Sequence, residues 1–484
     1  MLSLPAFARV PALALLALAA SGVAHAETAA RLTLDDCVQR ALARNFEIEL
    51  GRFDTANAAA SVDIARSGFD PVLRASSTRS GSRTEGAAQA SSGWDTRVGV
   101  SQHLVTGADV SVTTALNRTK HRFTSPYNPA YDSDIAISLN QPLLKGAGLA
   151  ANRAALDQAR LGVDRAGLLY RGTMMDIVRD TEIAYYELHF ARSQLAVRRL
   201  SLEAAQRLLE ENRTKRDTGV LTDLEVLTAE VGVATQQRNV LLAEQQLRNR
   251  EDALRALVGQ FELDAPLGDT TFATTGETAL RVEDTFARAK AAQPEYLALQ
   301  KGIDQLAIEL TATRRDRLPQ LDLVTSAGYN VERGSASSSF EDLPGSDGYN
   351  WQLGLELTYP IGSRGDRARL VQATNNLSRS RLQLRQLEQD ILVQARGSVR
   401  AVETSREAVR VATLASGLAA KQYELQKARF DAGLSTARLV LDAQTDLDDA
   451  RVNELSSQVD LLAALSQLRR LEGRSLEGYA APSS

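Results

Sequence analysis

The sequence predicts a mainly α-helical protein with a transmembrane β-barrel, built from a duplicated unit. Three features predict this fold class: two very long stretches without proline, an internal repeat, and short segments in which apolar and polar residues alternate. The composition agrees, since only 12 of 484 residues are proline and aromatic residues make up 5%. Chains rich in Ala, Leu, Arg, Gln and Glu favour long helices over a compact mixed core.

The proline-free stretches, residues 143–265 and 361–481, are far longer than ordinary helices or loops. Gly219 and Gly433 interrupt them, and each glycine is soon followed by a Thr or Ser that suits a helix N-cap. Each stretch is therefore predicted to contain a helical hairpin, at 150–258 and at 363–472. The first arm of the first hairpin should be about 100 Å long. We expect the shorter return arm and the N-terminal helix to stack end to end beside it.

The two halves of the chain match each other in sequence. One offset, 248 residues, relates helices in the two halves and carries Pro71 onto Pro319. A second offset, 214 residues, relates the hairpins and carries Gly259 onto Gly473. These matches indicate a duplicated structural unit. We divide the chain into a signal peptide at 1–26, a first repeat at 27–259, a connecting equatorial segment at 260–280, a second repeat at 281–473 and a C-terminal tail at 474–484.

Strands are predicted within each repeat, at about 69–143 and about 320–360. In 351–359, for example, apolar and polar residues alternate along the chain. One apolar face and one polar face suit a barrel wall with lipid outside and water inside. Because four strands are too few to enclose a pore, several copies of the chain must contribute.

We expect each repeat to supply at least one strand hairpin. Pro71 to Pro142 spans 71 residues and Pro319 to Pro360 spans 41, so the first repeat has 30 extra residues. We interpret 94–118, which also alternates, as an additional hairpin that widens or extends the barrel. The expected strand pairs are 71–80 with 133–143, and 321–331 with 348–359.

The N-terminal residues have the pattern of a signal peptide. Arg9 precedes an apolar run, and Ala24-His25-Ala26 is a small-x-small cleavage site. The run is too short for a membrane-spanning helix, and no later segment has about 18 uninterrupted apolar residues. An exported chain of this kind can enter a membrane only as a closed barrel. Cys37, the single cysteine, lies in a helical pattern and is expected to be a small core residue.

No group of residues predicts a reaction centre. The four histidines are not at metal-ligand spacing, and the sequence has no phosphate-binding loop, dinucleotide fingerprint or nucleophile elbow. A formal net charge of −4, with basic and acidic residues interspersed, gives no support for nucleic-acid binding. We therefore expect no enzyme activity, no cofactor, no metal site and no nucleic-acid partner.

With the repeat, the hairpins and the strands in place, the chain resembles the TolC family of outer-membrane efflux proteins, or outer membrane factors. The resemblance covers nearly all of the predicted mature chain. The motifs that carry it are LDDCVQRAL at 34–42, NQPLL at 140–144, AYYEL at 184–188, TGVLT at 218–222 and AGLST at 432–436.

The resemblance implies a homotrimer with a twelve-strand barrel in the outer membrane, in contact with its lipid, and an α-helical barrel that forms a tunnel in the periplasm. It implies a passive channel, the exit duct of a tripartite efflux or type I secretion system. The implied partners are a periplasmic adaptor (membrane fusion) protein and an inner-membrane pump, which supplies the energy.

The resemblance also assigns roles to the tips of the two helical hairpins. The tips correspond to the surface that docks the adaptor and to an iris-like closure of the tunnel. The tip residues at these positions are Gly219, Val220, Leu221, Gly433, Leu434 and Ser435.

Two acidic residues match positions of the periplasmic gate. Asp442 falls at a ring that narrows the tunnel, where three carboxylates would attract cations and repel anions. Glu225 matches an acid that helps to hold the closed state. Its usual partners, an arginine and a tyrosine, are replaced here by Ser435 and Phe430, so this lock differs and a nearby arginine is a candidate substitute, at 429 or 438.

A soluble periplasmic coiled-coil scaffold is the alternative function. The apolar stripes of the helical hairpins have coiled-coil spacing, and alternating strands also suit a half-buried soluble sheet. The alternative predicts that the protein needs no detergent and forms no pore.

Overall fold

The computed structural model describes residues 33–83, 85, 91–120, 125–259 and 280–479. The predicted signal peptide at 1–26, nearly all of the predicted connecting segment at 260–280 and the end of the predicted tail, 480–484, lie outside the described residues. Within the described part, two hairpins of long helices and six shorter helices accompany a six-stranded sheet.

The helices of the first repeat are α1 (Leu34–Arg44), α2 (Phe46–Ser67), α3 (Leu149–Asn152), α4 (Ala154–Asp217) and α5 (Asp223–Leu257). Those of the second repeat are α6 (Val282–Ala292), α7 (Pro294–Arg315), α8 (Ala336–Glu341), α9 (Arg364–Asp431) and α10 (Ala437–Leu471). A 3₁₀ turn at Leu343–Gly345 follows α8. None of the helices in the described ranges is long and apolar enough to cross a membrane.

The predicted N-terminal helix is divided in two at Asn45. This residue is extended, with φ −71° and ψ 133°, and its side chain accepts a hydrogen bond of 2.9 Å from the N–H of Glu47. Asn45 therefore ends α1 and caps α2. Gln293, its equivalent in the second repeat, likewise separates α6 from α7, which begins with Pro294.

The return arm α5 meets the α1–α2 junction end to end beside α4, as predicted. The Asn45 side-chain amide donates to the carbonyl of Leu257 at 3.1 Å. Just beyond, a Cβ on Gly259 would lie 2.7 Å from the carbonyl oxygen of Arg44, so only glycine fits this contact. Since α4 has 64 residues, it is about 96 Å long.

The strands form one antiparallel sheet in the order of the sequence. They are β1 (Val72–Ser82), β2 (Ser91–His103), β3 (Asp109–Lys120), β4 (Ala130–Pro142), β5 (Gln320–Arg333) and β6 (Tyr349–Thr358). The predicted additional hairpin at 94–118 is confirmed, because it lies within β2 and β3 and adds two strands to the sheet. The predicted pairing of 321–331 with 348–359 is also confirmed, by β5 and β6.

Two expectations about the strands are wrong. We expected 71–80 to pair with 133–143, but β1 pairs with β2, and β4 pairs with β3 and β5. The inserted hairpin separates them, because strands adjacent in sequence pair with each other. The sheet thus has six strands, whereas a twelve-strand barrel made by three copies would need four from each.

An ion cluster around the buried Arg470 ties the two repeats together in the first half of α4. Arg470 of α10 bonds both carboxylate oxygens of Asp176 in α4, each at 2.9 Å, and also bonds Glu295 in α7. Burial alone would lower the pKa of Arg470, but the hydrogen bonds to both carboxylates outweigh it and raise the pKa. Arg470 therefore stays charged, and its bonds to the two carboxylates fix three helices to one another.

Candidate functional site

Both hairpin tips close with the same backbone geometry. Gly219 has φ +79°, and the N–H groups of Gly219 and Val220 donate to the carbonyls of Arg216 and Lys215 at 2.8 and 2.9 Å. The tip at Gly433 repeats both bonds, at 3.0 and 2.8 Å. This is the Schellman arrangement, in which a left-handed residue ends a helix and satisfies its last carbonyls.

The predicted docking residues at the tips divide into exposed and packed side chains. Val220 and Leu434 follow the two glycines and are each 71% exposed. Leu221, in contrast, is half-buried against the small apolar cluster around Phe430. Ser435 is also half-buried. Each tip thus presents one bare aliphatic side chain at its end.

A lysine connects the two hairpins just above their tips. The Lys215 ammonium, at the end of α4, lies 4.4 Å from the centre of the Phe430 ring in α9 and 4.0 Å from the carboxylate of Asp431. A cation over an aromatic face is attracted by the ring electrons. Sequence reasoning missed this contact, because nothing in the local sequence of Lys215 signals a partner 215 residues away.

Of the two predicted gate acids, Glu225 lies in the first turn of its return arm and Asp442 in the second turn of the other. Glu225 is half-buried in α5, and its backbone carbonyl accepts a hydrogen bond of 3.3 Å from the buried side chain of Asn212. Asp442 is exposed on α10, with the guanidinium of Arg438 3.9 Å from its carboxylate. Of the two arginines suggested as partners for Glu225, Arg438 is therefore found beside Asp442.

One face of the sheet is apolar and bare. On β6, Tyr349, Trp351, Leu353, Leu355 and Leu357 point to the same side, and each is between 66% and 71% exposed. The register continues this apolar face across the neighbouring strands, where its exposed apolar side chains include Leu73, Val98, Val100, Val112, Ile135, Ile137 and Tyr329.

The other face of the sheet is polar and carries the acids. One row across five strands reads Ser101, Ser111, Ser138, Ser326 and Gln352. All seven carboxylates of the described strands lie on this face: Asp95, Asp109, Asp132, Asp134, Asp322, Glu332 and Glu356. A sheet divided in this way can separate lipid from water. No cluster of His, Cys, Asp and Glu suited to a metal ion occurs among the described residues.

The chain is similar to known outer-membrane channels. The family model for outer membrane efflux proteins matches residues 37–260 and 285–474. The outer membrane protein TolC of Vibrio cholerae is 25% identical over 320 residues, which cover 66% of this chain and 72% of that protein. The outer membrane efflux protein BepC of Brucella suis is 23% identical, over 76% of this chain and 80% of that protein.

Solved structures show the same fold. The outer-membrane channel OprN superposes with a TM-score of 0.69 over 91% of this chain and 89% of its own, at 16% identity. The outer membrane protein VceC of Vibrio cholerae superposes with a TM-score of 0.66 over 91% of this chain and 96% of its own, at 15% identity. Since the family model covers both repeats, the chain belongs to the outer membrane efflux protein family.

Proposed function

We propose that three copies of the chain form one continuous duct and that this duct is the passive exit of a tripartite efflux or type I secretion system. Membership in the family makes the chain an outer-membrane channel protein and not an enzyme. The observation that carries the proposal is the two-faced sheet at one end of helices about 96 Å long. Such a chain can line both a membrane pore and a periplasmic tunnel.

The apolar face has the height of a membrane. Its part on β6 runs from Tyr349 to Leu357, which at about 3.4 Å per residue is about 27 Å along the strand. With the strand tilt of about 40° that is usual in membrane barrels, the band is about 21 Å tall, near the ~25 Å of such barrels.

The two edges of the sheet are the proposed contacts between copies. β1 and β6 are edge strands of 11 and 10 residues, and neither has a second partner strand in the described chain. Long open edges invite pairing with another chain. If β1 of one copy pairs with β6 of the next, six strands in each of three copies make a barrel of eighteen. Because diameter grows with strand number, its mouth is wider than that of a twelve-strand barrel.

The hairpin tips are the proposed site of the adaptor and of the gate. Val220 and Leu434 supply exposed apolar contacts for a periplasmic adaptor protein, which would in turn hold an inner-membrane pump. The Lys215 contact with Phe430 takes the place of the lock expected around Glu225, since it joins the same two hairpins. These assignments are supported by the position of the residues at the free end of the helices.

The proposed function is tested most directly by asking whether Asp442 forms a cation-selective constriction. We would measure single-channel conductance and ion selectivity of the detergent-purified protein in planar bilayers. Asp442→Ala should reduce the preference for cations, because it removes three carboxylates from the ring. Arg438→Gln should increase that preference, because it removes the cation 3.9 Å from Asp442.

Asp63→Ala is the matched control, since Asp63 is also an exposed helical acid paired with an arginine, Arg66, but lies on α2, far from the tips. If Asp442→Ala and Asp63→Ala had the same ion selectivity, Asp442 would not be part of the gate, but the protein would still be a duct. A protein that stays in the soluble periplasmic fraction and forms no channel would instead favour the scaffold function.

A further inference from the structure

The apolar face of the sheet ends in a row of arginines and aromatic rings. The register places Arg79, Trp94, Arg118, Tyr131 and Arg333 side by side across β1 to β5. The row lies beyond the apolar part of the face, toward the end of the sheet that is farther from the helices. In an outer-membrane duct with its helices in the periplasm, this end is the outer leaflet.

Charge is segregated between the two faces of the sheet. All seven carboxylates of the described strands lie on the polar face, as stated above. The charged residues on the apolar face are all cations, and they lie in this row or next to it: Arg79, Arg118, Lys120 and Arg333. A cation on a lipid-facing strand is costly at the middle of the bilayer and nearly free at its surface. The row is therefore placed where lipid headgroups lie.

Two of these arginines are available for a ligand. Arg79 and Arg118 flank Trp94 on the neighbouring strands, so their backbones are about 10 Å apart across the sheet. Among the described residues, neither forms an ion pair. The guanidinium of Arg118 lies 5.8 Å from the centre of the Tyr131 ring, and its Nε atom is buried without a hydrogen-bond partner.

Arg333, in contrast, is already neutralised by a neighbour. Its Nε atom donates to the carboxylate of Asp342 at 2.7 Å. A ligand that needs two free guanidiniums would therefore bind at the β1–β3 side of the row and not at β5.

We propose that Arg79 and Arg118, with Trp94 between them, bind the phosphorylated headgroup of a lipid in the outer leaflet. A guanidinium matches phosphate oxygens with paired, charge-assisted hydrogen bonds. Trp and Tyr rings favour the interface between hydrocarbon and headgroups. The inference rests on the proposed function, because that function places the apolar face in lipid.

Trp94 provides the signal for the test, because the chain has only two tryptophans, Trp94 and Trp351. Full-length protein with Trp351→Phe, in detergent, would be titrated with lipid A, a bisphosphorylated glucosamine lipid. We expect a saturable change in Trp94 emission. Lipid A stripped of both phosphates should give none. In Arg79→Gln/Arg118→Gln the dissociation constant should rise about 30-fold, as expected for two interfacial arginines.

The matched control removes the same charge from the opposite face. Arg74→Gln/Arg97→Gln lies on β1 and β2 and should bind lipid A like the parent, since these side chains contact Ser101 and Asp95 on the polar face. An equal loss in both double variants, or none in either, would overturn the assignment. So would competition by inorganic phosphate at the concentration of the lipid, because the site would then take a free anion.

Channel recordings on the same samples separate this inference from the proposed function. Conducting channels from both double variants would show that they fold and insert. If the parent conducts but does not distinguish lipid A from its dephosphorylated form, only the lipid site is wrong. If the parent forms no channel at all, the duct is wrong and the lipid site falls with it.

Discussion

Gly219 and Gly433 turn the chain at the hairpin tips with φ of +79° and +72°. A Cβ at either position would meet no other atom within 4 Å. A side chain would therefore fit at either position, and glycine is needed only because the backbone φ angle is positive. A residue with a Cβ pays about 1–2 kcal/mol for this left-handed conformation.

Gly219→Ala should lower the free energy of unfolding by about 1 kcal/mol, because alanine is strained at positive φ. Denaturant unfolding of the detergent-solubilised protein, followed by circular dichroism, would measure the change. Gly417→Ala is the matched control. Gly417 also has open space around its Cβ position but lies inside α9. There alanine should stabilise by up to about 1 kcal/mol, and a change of the same sign at both positions would contradict the argument.

Local chemistry explains which residues could be predicted. The tip glycines belong to five-residue motifs at 218–222 and 432–436, and Cys37 belongs to the apolar stripe of α1, in which it is indeed buried. The contact of Lys215 with Phe430 depends on how two hairpins dock, which no short motif encodes. Arg438 lies one helical turn before Asp442. The sequence alone did not show whether Arg438 pairs with Asp442 or with Glu225, and the three-dimensional structure places it beside Asp442.

Helix α10 carries one acid that it buries against its neighbours. Asp448 is fully buried; its Oδ1 atom accepts a hydrogen bond of 3.0 Å from Gln444, whereas Oδ2 has no hydrogen-bond partner among the described residues. Burial raises the pKa of Asp448 above its usual 3.8, since it disfavours the charged form. The stability that this group contributes is complete below pH 3.8 and is lost as the pH rises through the raised pKa.

Asp448→Asn should therefore stabilise the protein at pH 7, by roughly 1 kcal/mol, because the buried group no longer carries a charge. The gain should shrink as the pH falls below the raised pKa of Asp448. Unfolding measured between pH 4 and 8 would test both expectations. Asp449→Asn, an exposed neighbour that bonds Arg198 at 3.3 Å, should show little change. A gain independent of pH would contradict the proposed origin.

Helices and strands differ in how far the sequence predicts them. The bounds of α4 and α5 follow from a proline-free run and from the turn at Gly219, which act within a few residues. Alternation along a segment predicts a strand and its faces, but it does not name the partner strand. The expected partner β4 was wrong because the insertion of β2 and β3 changed the neighbour without changing the pattern of β1.

At the scale of the whole duct, the contact between hairpins sets how firmly the tips stay together. Lys215 joins α4 to α9 through Phe430 and Asp431. Lys215→Gln should loosen this contact and raise the conductance of the closed channel several-fold, since a partly exposed cation–π contact contributes only about 1 kcal/mol. Planar-bilayer recording would measure it.

Arg213→Gln is the control for that measurement. Arg213 lies two residues earlier and bonds Glu230 at 2.9 Å, so its contact stays within the first hairpin. Its loss should leave the conductance unchanged. If both variants opened the channel equally, general loosening of the helices, and not the link between hairpins, would be responsible.

The inserted β2–β3 hairpin shows how the width of the proposed β-barrel can change. Its inner turn is anchored against the segment before α3, where the N–H of Gly148 donates to the carbonyl of Thr106 at 2.9 Å. Because the chain must leave the helices and return to them, strands can be gained or lost only in pairs, and a threefold assembly multiplies each pair by three. The circumference of the pore can therefore change only in steps of six strands, while the tunnel below keeps its helices unaltered. A wider or narrower pore could therefore evolve by the gain or loss of one strand hairpin. The hairpin tips at the opposite end, and their contacts with partner proteins, would not have to change.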